Sequence, residues 1–112
     1  MSAKTNSKPD AVLIDDDPLV HLTWSMAAKS KLKNVVTFFD AESFFAESAK
    51  IRPDTPIYVD SSLSNGVSGE DVAQKIHATG FGSVYLATGF PAERFKGMSW
   101  LSGVIGKTPP WL

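Results

Sequence analysis

Four short apolar runs punctuate this chain, and each delivers a chemically useful residue at its end. Ala11-Val12-Leu13-Ile14 runs into Asp15-Asp16-Asp17, and Ile57-Tyr58-Val59 runs into Asp60. Tyr85-Leu86-Ala87 ends at Thr88, and Val104-Ile105 passes Gly106 to reach Lys107. Runs this short and rich in branched residues read as strands buried on both faces, the kind found in parallel sheets. In an open parallel α/β sheet the carboxyl ends of the strands form the crevice where ligands bind. Residues far apart in the chain are thereby expected to meet at one edge.

The segments between these runs carry helix signals. Asp17 before Pro18 reads as an N-cap with proline at the first helical position, where its missing N–H is harmless. The helix is expected from Pro18 to about Leu32, with Val20, Trp24, Ala27 and Ala28 facing inward. Asn34 to Phe39 reads as another strand, and Asp40 as the cap of a helix whose pattern is Ala41, Phe44, Phe45 and Ala49. Pro53 and Pro56 then end helical structure just before Ile57. Ser68 with Glu70 and Asp71 marks the start of a helix carrying Val72, Ala73, Ile76 and His77, closed near Gly80. Ser83 to Ala87 is the fourth strand, and Pro91 opens a brief helix before Val104-Ile105. Strands and helices alternating in this way predict a doubly wound α/β sheet with right-handed crossovers.

Composition limits the alternatives. A chain of 112 residues, 43% hydrophobic, suffices for one domain. Residues 1–9 are polar and read as a flexible tail, leaving 10–112 as the domain. Eleven basic and twelve acidic residues give a net charge of -1, which supplies no overall basic field for nucleic acid or a membrane surface. The absence of cysteine excludes disulfides, thiolate catalysis and cysteine-held metals, and fits a reducing cytoplasm. No apolar stretch approaches the ~20 residues that span a bilayer, so the chain reads as soluble.

If Asp15, Asp16 and Asp60 meet, their mutual repulsion calls for a cation. An all-oxygen ligand set selects a hard ion such as magnesium. A carboxylate beside that ion can attack phosphorus, while an ammonium group neutralises the phosphoryl oxygens. Lys107 is placed to be that ammonium, and Thr88 to offer a hydroxyl to a phosphoryl oxygen.

These ordered residues resemble the receiver domains of two-component response regulators, over residues 11 to about 110. The resemblance rests on the acidic pair after Val-Leu-Ile, the aspartate after Ile-Tyr-Val, the threonine after Tyr-Leu-Ala, and the lysine shortly before prolines. It implies that Asp60 is the phosphoacceptor and Asp16 a direct Mg2+ ligand, with Asp15 acting largely through water and the Ser62 backbone carbonyl completing the set. It implies a flavodoxin-like five-stranded parallel sheet, order 2-1-3-4-5, with helices on both sides. The partners implied are a histidine kinase or histidine phosphotransfer protein upstream and a protein target downstream, in the cytoplasm. Such a domain catalyses its own aspartyl phosphorylation and dephosphorylation and turns over no separate substrate.

Three departures accompany the resemblance. The Ser64-Asn65-Gly66-Val67-Ser68-Gly69 loop is longer than usual and lacks a proline, and Val104 stands where an aromatic is common. Only five residues follow Lys107, too few for the family's fifth helix. Trp111 and Leu112, a partner or a second copy of the chain is expected to cover the gap. A receiver-like interaction module that takes no phosphate is the alternative these departures raise. A small-ligand flavodoxin-like binder ranks lower, because no glycine-rich phosphate loop follows the first strand. Gly106-Lys107-Thr108 is no P-loop, since Leu101 fills the required glycine position and Pro109-Pro110 forbids the following helix. His21 and His77 are expected to be packing or surface residues, and Phe38, Phe39, Phe44 and Phe45 to be core.

Overall fold

The branched runs form five parallel strands: β1 (Ala11–Ile14), β2 (Val35–Phe38), β3 (Ile57–Val59), β4 (Val84–Ala87) and β5 (Gly103–Ile105). The structure, a computed structural model, describes residues 9–111. The strands lie in the order β2-β1-β3-β4-β5. Ile14 stands beside Phe38 on one side and Val59 on the other, and Val59 beside Leu86, so β1 and β3 stop at one level and β4 one residue further on. This places Asp15, Asp60 and Thr88 along a single edge. The strand order is the one the family resemblance implies.

Among the described residues three α-helices cover the sheet. Helix α1 (Pro18–Ser30) begins where Asp17 accepts the Leu19 N–H at 2.9 Å, with Pro18 at its first position. It ends two residues before the expected Leu32, which instead adopts a left-handed conformation with φ of 57°. Lys33 N–H then closes the helix on the Ala28 carbonyl at 2.7 Å. Helix α2 (Ala41–Glu47) is capped by Asp40, whose carboxylate accepts the Ser43 N–H at 2.7 Å. That bond holds the Asp40 carboxyl below its ordinary pKa. Helix α3 (Gly69–Ala78) is capped by Ser68.

Alternation along each strand sorts the core into two clusters. Val12, Ile14, Ile57, Val59, Val84 and Leu86 face α2 and α3, where they meet Phe44, Val72, Ala73, Ile76, Phe81 and Phe95. Ala11, Leu13, Tyr58 and Ala87 point the opposite way, toward Trp24 of α1.

Several expectations need correction. The helix expected after Pro91 is as brief as expected but 3-10 in form, a single turn at Ala92–Phe95 that ends where Lys96 takes an extended backbone, followed by Gly97 at a positive φ of 89°. Phe39 is not core: it is 53% exposed, since β2 is an edge strand that stops one residue earlier. Among the described residues no helix follows β5. Instead the chain folds back, burying Pro109 and setting Trp111 edge-on against Trp24 at 5.7 Å between centroids. Trp100 packs on the other face, with the α2 and α3 cluster. The tail expected at residues 1–9 lies outside the described residues except for Pro9, which is buried, and Leu112 lies outside them as well. No described helix is long and apolar enough to cross a membrane.

Candidate phosphoacceptor site

The ends of β1, β3, β4 and β5 contribute the groups of the site. Asp15 follows β1 and is fully buried; its N–H bonds to the Phe38 carbonyl at 3.0 Å, which ties it to β2. Its carboxylate accepts the Asp17 N–H at 2.9 Å. Asp60 follows β3, is 6% exposed, and bonds through its N–H to the Ile14 carbonyl at 2.9 Å. Lys107 comes from beyond β5. Its Nζ lies 2.7 Å from Asp15 Oδ2 and 2.8 Å from Asp60 Oδ1, one ammonium bridging two carboxylates.

Asp16 adds a third acid. Oxygen atoms of Asp15, Asp16 and Asp60 lie within 4.8 Å of one another. Three carboxylates facing one ammonium leave negative charge uncompensated, and a hard divalent cation matches both that charge and the all-oxygen donors. The residues present therefore fit Mg2+. Ser64 Oγ donates to Asp16 Oδ2 at 2.6 Å, fixing the acid nearest solvent. Ser62 donates its N–H to Asp60 Oδ1 at 3.3 Å.

Burial pushes the Asp60 carboxyl above its ordinary pKa; the Lys107 hydrogen bond opposes this, and the Asp15 charge adds to it. Burial alone would lower the Lys107 ammonium, but its bonds to Asp15 and Asp60 win and raise it. Lys107 is thus held protonated at neutral pH, while burial works against the charge on Asp60.

Thr88 follows β4 and is buried. Its Oγ1 lies 2.7 Å from Ser61 Oγ and accepts the Phe90 N–H at 3.1 Å, so the hydroxyl is engaged beside Asp60. Phe90 is 44% exposed, and the Arg94 guanidinium lies 4.0 Å above its ring. A path of two contacts therefore links the site to the surface.

The loop after Asp60 approaches α3 closely. Gly69 N–H donates to the Ser61 carbonyl at 2.9 Å, and any Cβ at Gly69 would run into the Asp60 carbonyl oxygen. In the loop itself Asn65 and Gly66 both take positive φ, 64° and 72°, residue types that tolerate that region.

The structure thus brings Asp15, Asp16, Asp60 and Lys107 together, with Ser62 and Thr88 alongside. Sequence reading missed four supports of this cluster: Ser61 on Thr88, Ser64 on Asp16, Gly69 under Asp60, and His21. His21 Nε2 lies 2.6 Å from the Asp15 carbonyl oxygen, and its ring stacks on Phe39 at 4.0 Å. Its place on the same face of α1 as Trp24 was the available signal. His77 lies elsewhere, its Nδ1 3.2 Å from the Phe81 carbonyl.

No protein-family model matches the chain, and no curated protein matches it in sequence. Solved structures do match in fold. A CheY-like response regulator receiver domain protein from Methanospirillum hungatei JF-1 superposes with a TM-score of 0.73 at 17% identity, covering 90% of this chain and 82% of that one. A signal receiver domain from Vibrio parahaemolyticus gives 0.67 at 18% identity, over 90% and 79% of the two chains. The PhyR response regulator receiver domain of Erythrobacter litoralis gives 0.65 at 20% identity, over 87% and 78%. The fold of this chain is the receiver-domain fold.

Proposed function

We propose that this chain is a phosphoacceptor receiver module of a two-component or phosphorelay system, taking a phosphoryl group onto Asp60. The observation that carries this reading is the Lys107 ammonium held at 2.7 Å from Asp15 and 2.8 Å from Asp60. In a chain that only docked to partners, two buried carboxylates on one lysine would have no evident use. Here they put a nucleophile, a cation-binding acid and a counter-charge on one edge.

The donor is a phosphohistidine of a kinase or histidine phosphotransfer protein. A carboxylate oxygen of Asp60 attacks phosphorus, the bond from phosphorus to the imidazole nitrogen breaks, and the histidine leaves with the electron pair. Asp15, Asp16, Asp60 and the Ser62 carbonyl would hold Mg2+, which when bound neutralises phosphoryl oxygens. Lys107 supplies the remaining positive charge to those oxygens. Thr88 then exchanges its Ser61 contact for a phosphoryl oxygen, which releases Phe90 and shifts the 88–97 segment. The output is a protein contact at that surface. Hydrolysis by water resets Asp60, so the chain turns over only its own phosphate.

Incubation with Mg2+ and acetyl phosphate, followed by intact mass, is expected to add one phosphoryl group that is lost in base. Asp60→Asn is expected to add none. A wild-type chain that gains neither mass nor Mg2+-dependent amide shifts with beryllofluoride would sink the proposal.

A further inference from the structure

Helix α1 carries two ring N–H groups three residues apart, His21 and Trp24, and packing alone does not require either. Leucine and phenylalanine would be buried there with no N–H to satisfy, phenylalanine leaving part of the indole's space empty. Residues at this spacing are neighbours on one helix face, and both are buried, His21 at 7% and Trp24 at 0% exposure. Each reaches a backbone carbonyl at the site. His21 Nε2 meets the Asp15 oxygen at 2.6 Å, and Trp24 Nε1 donates to the Lys107 oxygen at 2.8 Å. A carbonyl oxygen only accepts, so Nε2 of His21 carries a proton.

The two residues so held are themselves joined, Lys107 Nζ to Asp15 Oδ2 at 2.7 Å. The bonds close a ring: α1 to the Asp15 backbone, Asp15 carboxylate to Lys107 ammonium, Lys107 backbone to α1. Sheet hydrogen bonding cannot do this directly, because β3 and β4 lie between β1 and β5. Both rings are in turn wedged. Phe39 lies parallel to His21 at 4.0 Å, and Tyr58 and Trp111 stand against Trp24 at 5.3 and 5.7 Å.

We infer that His21 and Trp24 are positioning residues that set the separation of Asp15 and Lys107 from a single helix. His21 acts through Asp15 on cation binding, and Trp24 acts through Lys107 on phosphoryl transfer. The chemical half of this inference rests on the phosphoacceptor reading; the clamp itself rests on the bonds alone.

The test compares His21→Leu, His21→Gln and Trp24→Phe in the full chain, each first confirmed as folded by circular dichroism. Without Mg2+, the Lys107 ammonium is followed by its proton–nitrogen NMR signal. Its exchange with water is expected to quicken about tenfold in His21→Leu and Trp24→Phe, as a locally opened bond network does. His21→Gln, which keeps a donor at similar reach, is expected to stay near wild type. In calorimetry His21→Leu weakens Mg2+ binding about tenfold, the size of loss seen when a ligand's supporting bond is removed. Trp24→Phe keeps Mg2+ affinity but slows phosphorylation by acetyl phosphate at saturating Mg2+ about tenfold, through a misplaced Lys107.

Unchanged Lys107 exchange in both donor-deleted variants would overturn the clamp, and so would a His21→Gln as impaired as His21→Leu. Trp24 lies at the centre of its cluster, so if Trp24→Phe does not fold, the His21 pair decides alone. A wild type that takes neither Mg2+ nor phosphate refutes the functional reading, while the ammonium exchange still decides the clamp.

Discussion

On the side of the sheet covered by α2 and α3, the strands meet Phe44, Ile76, Phe81 and Phe95, side chains with no polar atom to satisfy. On the α1 side they meet Trp24, flanked by Tyr58, Tyr85 and Trp111, each of which has one. The two tyrosines stack at 4.8 Å, and burial raises the Tyr58 hydroxyl above its ordinary pKa, with Tyr85 adding to the effect. Strand alternation makes this division possible, because consecutive residues leave the sheet on opposite sides. The contrast teaches that one face holds the strands in place through apolar burial, whereas the other ties particular backbone atoms of the site through N–H groups.

That contrast breaks first at Phe44. It is fully buried and surrounded by Phe38, Phe45 and Phe81 rings at 5.4 to 5.6 Å. Phe44→Ala is expected to lower the unfolding free energy by about 3–5 kcal/mol, a large share of a small domain's ~5–15 kcal/mol. Molecules that remain folded should bind Mg2+ nearly as wild type does. Urea denaturation with calorimetry at low urea checks both halves. If Trp24→Phe proved more destabilising than Phe44→Ala, the division of labour between the faces would be wrong.

Gly69 is where the apolar face touches the site. Its missing side chain lets α3 lie against the Asp60 carbonyl, so Gly69→Ala must push the helix or the loop away. The expected loss is about 1–3 kcal/mol, as for overpacked cores, together with weaker Mg2+ binding because Asp60 moves. A loss of stability with unchanged Mg2+ affinity would show that α3 yields and Asp60 does not.

The fold was legible because the strands advertise themselves. Val-Leu-Ile, Ile-Tyr-Val and Tyr-Leu-Ala are short, branched and followed by polar residues, and Asp17-Pro18, Asp40 and Ser68 mark helix starts through side-chain caps that act within three residues. The acids and Lys107 followed from the rule that such strand ends converge. What failed or was missed depends on contacts across the chain. Phe39 looks like core beside Phe38, but the edge position of β2 decides its exposure. The bond from Trp24 to the Lys107 carbonyl joins residues 83 positions apart, a relation that no local pattern encodes.

Acidity separates the site from its scaffold more gently. Asp60 is held above its ordinary value of 3.8, so the folded state binds that proton more tightly than the unfolded chain does. The corresponding stability is complete below pH 3.8 and is lost as pH rises through the raised value. Lys107, raised above 10.5, loses its contribution only in alkali and does not enter this window. Asp60→Asn is therefore expected to be more stable than wild type at neutral pH, with the difference closing in acid. Mg2+ at ten times its dissociation constant should add about 1.4 kcal/mol to wild type and less to Asp60→Asn. Denaturation midpoints from pH 3 to 8, with and without Mg2+, read all of these signs. A variant less stable than wild type at pH 7 would mean that Asp60 is stabilised by Lys107 more than burial penalises it.

The smallest effect belongs to the outward side of α1. Leu19, Leu22 and Met26 lie at helical spacing and are 70%, 56% and 62% exposed, opposite the buried His21, Trp24 and Ala28. They contribute little to either face of the sheet. Met26→Gln keeps a straight chain of similar helix propensity, so the unfolding free energy of the dilute chain should change by less than about 0.5 kcal/mol. Repeating the denaturation at high protein concentration sharpens the point, because a stripe covered by a second copy stabilises wild type with concentration and Met26→Gln less. A loss near that of Phe44→Ala in dilute solution would place the stripe inside the core, and the contrast between the two faces would have to be redrawn around α1.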